Sequence, residues 1–63
     1  MKTHHEDSDN YVLQSYVNGI WVTDRKVRKA GGANTARASA KNAGVSYRVY
    51  NTTKNATYVE VKP

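Results

Sequence analysis

Interleaved aromatic and cationic residues are the side chains of this sequence best suited to chemistry with a ligand. Trp21, the only tryptophan, lies in "NGIWVTDRKVRKAGG", residues 18–32, with Arg25, Lys26, Arg28 and Lys29 close behind it. Tyr16 precedes that stretch, and Arg48, Tyr50 and Tyr58 follow later in the chain. Aromatic rings stack on bases and cations hold phosphates, so this mixture points to nucleic acid bound as a single strand or without sequence preference. A base stacked on one ring contributes roughly 1–3 kcal/mol. The same residue types mark protein interfaces, and Tyr also sits well on a half-exposed sheet face with no ligand.

Other chemistry finds little support. A general acid or base has to be positioned and shielded, and no two carboxylates beyond the N-terminal stretch are spaced as a pair. We read the chain as not an enzyme, with no cofactor. Cysteine is absent, which excludes disulfides and thiolate metal sites. His4 and His5 sit in "HHED" within a polar terminus that lacks the spacing of a closed metal site, so no metal is assigned. The stretch "RKAGGANT" places glycines and two cations ahead of a helix start, where free N–H groups attract anions. A plain glycine-rich connection explains the same residues, and that reading is preferred.

Charge is the clearest global property. The net is +5, and residues 25–63 carry nine basic residues against Glu60 alone. Residues 1–10 are acidic, with Glu6, Asp7 and Asp9 against Lys2. A basic body calls for an anionic partner, nucleic acid or an acidic protein surface. No apolar run is long enough to span a membrane and no signal peptide is evident, so a cytoplasmic location is expected, with no membrane partner.

The elements that must position these residues follow from pattern. Residues 1–9 read as a disordered acidic tail, and residues 10–63 as one basic α+β domain. Asn18-Gly19 between two β-prone runs signals a hairpin with a two-residue turn. The register then pairs Val17 with Ile20, Tyr16 with Trp21, Ser15 with Val22, Gln14 with Thr23 and Leu13 with Asp24. Tyr11, Leu13, Ser15, Val17, Ile20 and Val22 share the face assigned to the core. Val12, Gln14, Tyr16, Trp21, Thr23 and Arg25 share the other. A one-residue slip would instead bury Tyr16 and Trp21.

"KAGGAN" is a break, and "NTARASAKNAG" is a short helix capped by Asn34 or Thr35 and ended by Gly44. Ala33, Ala36, Ala40 and Ala43 form its small-residue stripe, while Arg37 and Lys41 share its outward side. "VSYRVYN" and "ATYVEVKP" are further strands around a "TTKN" turn. Arg48, Tyr50 and Tyr58 are expected on the open face beside Trp21. The order is ββαββ, an antiparallel sheet with one Ala-rich helix across a single face. The apolar stock is eight Val, seven Ala, five Tyr and one each of Ile, Leu, Met and Trp. So thin a core in so short a chain also points to stabilisation as a homo-oligomer.

The outline and the "NGIWV … ARASAKNAGVSYRV" pattern resemble small sheet-plus-helix proteins made by bacteriophages early in infection. Several of those bind host RNA polymerase, nucleases or nucleoid proteins. The resemblance implies, as the alternative to nucleic-acid binding, a small protein-binding modulator that inhibits or redirects a host protein. It assigns no site residue.

Overall fold

A computed structural model describes residues 8–63. The "HHED" stretch and all of residues 1–7 lie outside the described residues. The elements are β1 (Tyr11–Val17), β2 (Ile20–Val27), α1 (Lys29–Ala43), β3 (Tyr47–Asn51) and β4 (Ala56–Val61). They form a four-stranded sheet in the order β2-β1-β3-β4, with every neighbouring pair antiparallel. This is the ββαββ arrangement that pattern and turn chemistry anticipate. Because β2 and β3 both run against β1, they are parallel to each other, and α1 is the crossover that joins them.

Asn18 and Gly19 both have positive φ, 52° and 85°, as a type I′ turn requires. The turn sets the register of the hairpin, and the four pairs next to it match expectation, from Val17 with Ile20 to Gln14 with Thr23. The fifth does not. A bulge leaves Asp24 without an opposite residue, so Leu13 pairs with Arg25 and Val12 with Lys26. One extra residue reverses the facing of everything beyond it. Arg25 therefore leaves the open face and Lys26 joins it.

A second bulge lies between β3 and β4. Val49 pairs with Val59 but Tyr50 pairs with Thr57, which leaves Tyr58 as the extra residue. The ring of Tyr58 meets Tyr11 edge-on at 5.8 Å. Tyr58 thus sits on the helix side and not on the open face where simple alternation places it.

The helix begins earlier than its polar residues imply. Ala30 (φ −69°, ψ 124°) and Gly31 (φ 84°, ψ −13°) have the dihedrals of a type II turn, which demands a positive φ at its third residue. Regular helix follows that turn. Thr35 is already inside it, its hydroxyl donating to the Gly31 carbonyl oxygen at 3.2 Å. The Asn34 side chain accepts from the Arg37 guanidinium at 2.6 Å. Neither residue caps the helix, contrary to expectation. Gly44 does end it, at φ 73°, with its N–H donating to the Ala40 carbonyl oxygen at 2.8 Å.

The buried stripe is Gly32, Ala36 and Ala40, four residues apart, in place of the all-alanine stripe beginning at Ala33. Gly32 has a packing role. A Cβ on it would lie 3.2 Å from a Val49 methyl, so the bare glycine lets the helix axis approach the sheet. The core is small: Leu13, Ala36, Ala40 and Val49 are fully buried and Tyr11 almost so, with Val27, Tyr47, Val59 and Val61 packed around them. Full burial of a Leu or Val side chain contributes about 1.5–3 kcal/mol.

Asp9 is part of the folded domain and not of a loose tail. Its carboxylate accepts from the Asn51 amide at 2.9 Å and pairs with Lys54 at 3.5 Å. The Asn51 side-chain oxygen accepts from the Lys54 N–H at 3.0 Å, which closes the β3–β4 turn. The Asn10 backbone completes the junction, accepting from the Thr52 N–H at 2.9 Å and donating to the Thr53 hydroxyl at 2.9 Å. Asn51 is buried, and these bonds satisfy both ends of its amide.

Candidate nucleic-acid interface

The helix covers one face of the sheet, so the other face is open. Its side chains form rows across the strands. Thr23, Gln14, Arg48 and Glu60 make one row, and Lys26, Val12, Tyr50 and Thr57 the next. Trp21 and Tyr16 stand as a cross-strand pair on the hairpin beside them.

Arg48 organises this face. Its guanidinium lies 4.3 Å from the Trp21 ring centroid and 4.4 Å from that of Tyr50. Its Nε donates to the Gln14 side-chain oxygen at 2.7 Å, and one terminal nitrogen donates to the Thr57 hydroxyl at 3.2 Å. Gln14 in turn donates to the Thr23 hydroxyl at 3.1 Å. Tyr16 meets Trp21 at 5.0 Å, tilted by 56°. The result is a continuous assembly of Tyr16, Trp21, Arg48 and Tyr50. Each cation–π contact at a partly exposed site contributes about 0.5–1 kcal/mol.

Two consequences follow for the residues singled out in the sequence. Trp21 is on the open face and half-buried by its neighbours, so it is not in the core under the helix. Arg48 already stacks against two rings. Its part in the site is to hold those rings in place and to keep a positive charge between them, while Tyr16, which is 44 % exposed, is the most exposed of the three aromatic residues.

The other cations are not gathered on this face. Lys26 stands at its edge, beside the Val12–Tyr50 pair. Arg28 and Lys29 continue from there into the β2–α1 connection, and with Lys26 they line an open groove of about 750 Å³. Asp9 lines the same groove and offsets part of its charge. The Lys29 ammonium lies 5.2 Å from the Tyr58 ring centroid. Arg25 is on the helix side of the hairpin, paired with Asp24 at 3.2 Å. Arg37 and Lys41 are exposed on the helix, across the sheet from Trp21. The expected surface is therefore divided: Tyr16, Trp21, Arg48, Tyr50 and Lys26 on the open face, Arg28 in the β2–α1 connection, Lys29 over Tyr58 on the helix side, and Arg25, Arg37 and Lys41 elsewhere.

Sequence reasoning missed Gln14 and Thr57, the polar partners that orient Arg48. Gln14 was legible as a neighbour of Tyr16 on the same face. Thr57 was not, because the bulge at Tyr58 is what turns it there. No protein-family model, no curated protein and no solved structure matches this chain. Among the described residues no helix is long and apolar enough to cross a membrane.

Proposed function

We propose that this protein is a small non-enzymatic nucleic-acid-binding module that takes single strands, or strands without sequence preference, on its open sheet face. The observation that carries the reading is the Tyr16–Trp21–Arg48–Tyr50 assembly with Lys26 at its edge and Arg28 just beyond in the β2–α1 connection. Bases stack on Tyr16, Trp21 and Tyr50, and the phosphates between them run towards Lys26 and Arg28. Arg48 positions the rings. Arg37 and Lys41, across the sheet, contribute to the overall positive field.

Fluorescence anisotropy of a labelled oligonucleotide tests this. Binding is expected at low salt and weakens steeply as salt rises. No binding at low salt overturns it. A second reading, a protein-binding modulator acting on an acidic protein surface, draws on the Trp–Tyr–Arg composition of the same face. Capture from a nuclease-treated bacterial lysate separates the two, because a partner that survives nuclease favours the second.

A further inference from the structure

We infer that the first half of β2 is a self-association edge, in which Trp21–Thr23 pairs antiparallel with the same residues of a second copy of this chain. Its main chain is the first ground. The Tyr16 N–H donates to the Ser46 carbonyl oxygen at 2.9 Å, on the side of β1 away from β2. Tyr16 and Trp21 are therefore a non-hydrogen-bonded pair of the hairpin, and the Trp21 N–H and C=O point away from β1. Alternation directs those of Thr23 the same way. β2 is the end strand of the sheet, so among the described residues these groups face no other strand.

The side chains are the second ground. α1 packs on β3, β4 and β1, which leaves the hairpin tip uncovered on the helix side. Val17, Ile20 and Val22 are there 41 %, 62 % and 42 % exposed. On the other side stands Trp21. An edge with unpaired main chain and apolar residues on both faces is a template for another strand. The remainder of both sheet edges carries the usual protection against such pairing. The second half of β2 has the Asp24 bulge and the charges of Asp24, Arg25 and Lys26. β4 has the Tyr58 bulge and Glu60, and Lys62-Pro63 follow it.

A second copy fits because the segment is self-complementary. A two-fold axis at Val22 sets the outward groups of each Trp21 against those of the partner subunit's Thr23, and Val22 against its own counterpart. The residues paired are Trp21–Thr23, and the charged stretch begins at the next position, where Asp24 stands opposite the partner subunit's Ile20. The apolar patch is small beside the roughly 1,200–2,000 Å² of a stable complex, so the dimer is weak and concentration-dependent. Each copy carries +5, so salt strengthens the association by screening, the reverse of its effect on nucleic-acid binding.

Sedimentation equilibrium of the full chain without nucleic acid tests the inference, and it does not depend on the nucleic-acid reading. Between about 10 µM and about 1 mM the average mass should rise from 7.0 kDa towards twice that, more so at about 0.5 M than at about 0.05 M NaCl. Val22→Lys should move the rise to at least about tenfold higher concentration. So should Thr23→Pro, where the lost N–H is the outward one and an edge strand tolerates it. Thermal unfolding of Val22→Lys at the lowest concentration should match the parent, since Val22 is outside the core. A monomer at the highest concentration in high salt overturns the inference, as does a dimer that both variants leave unchanged.

Discussion

Arg48 is the residue on which the open face turns. A lysine there keeps the charge but loses the planar group that lies against Trp21 and Tyr50 and the fixed fork that reaches Gln14 and Thr57. Arg48→Lys should lower stability by about 1 kcal/mol in a denaturant titration and shift Trp21 emission to the red. A variant of unchanged stability and emission would mean that the assembly does not order these rings. Leu13 is the matching residue of the core. It is fully buried in a domain with few large apolar side chains, so Leu13→Ala should cost about 2–5 kcal/mol. That loss is comparable to all that a core of this size supplies, so the variant should be largely unfolded by circular dichroism.

At the scale of elements, the helix is defined by its glycines more than by its polar residues. Gly44 holds φ 73°, and a side chain in that left-handed conformation costs about 1–2 kcal/mol, so Gly44→Ala should lower the denaturation midpoint accordingly. Gly32→Leu tests the close approach to Val49. It should destabilise by about 1–3 kcal/mol through overpacking, although leucine is the better helix former. An unchanged midpoint would show that the helix does not need that approach.

What was legible in the sequence divides along the same line. Asn18-Gly19 and the alternation around it gave away the hairpin and the facing of Tyr16 and Trp21, because turn chemistry and period act locally. Gly44 marked the helix end for the same reason. The bulges at Asp24 and Tyr58 left no such signal, since they answer to the twist of the assembled sheet. They moved Arg25 and Tyr58 off the open face and brought Lys26 and Thr57 onto it. The Ala30-Gly31 turn has the composition of a break, and only its dihedrals reveal it as the entry to the helix. Asp9 looked like one more acid of the tail, and its place beside Asn51 and Lys54 depends on contacts some forty residues away in sequence, beyond the reach of local pattern.

At the scale of the whole molecule, a single-layer sheet with a helix on one side leaves an open face that must be covered by its own side chains or by a ligand. Here Arg48 and its aromatic neighbours cover it in part, and Lys26 reaches it from one edge, with Arg28 just beyond. If phosphates run along that edge, Lys26→Ala and Arg28→Ala should each weaken oligonucleotide binding about equally across sequences and reduce the salt slope by about one. Arg37→Ala, across the sheet, should change the slope less.

The most direct test of the nucleic-acid reading is the emission of Trp21 during titration with a single-stranded oligonucleotide at about 50 mM salt. Trp21 is the only tryptophan and stands on the proposed surface, so the signal has one source. Saturable quenching is expected, reversed by added salt and lost in Tyr16→Ala together with most of the affinity. Emission that stays constant while oligonucleotide is added to saturating concentration would contradict that reading.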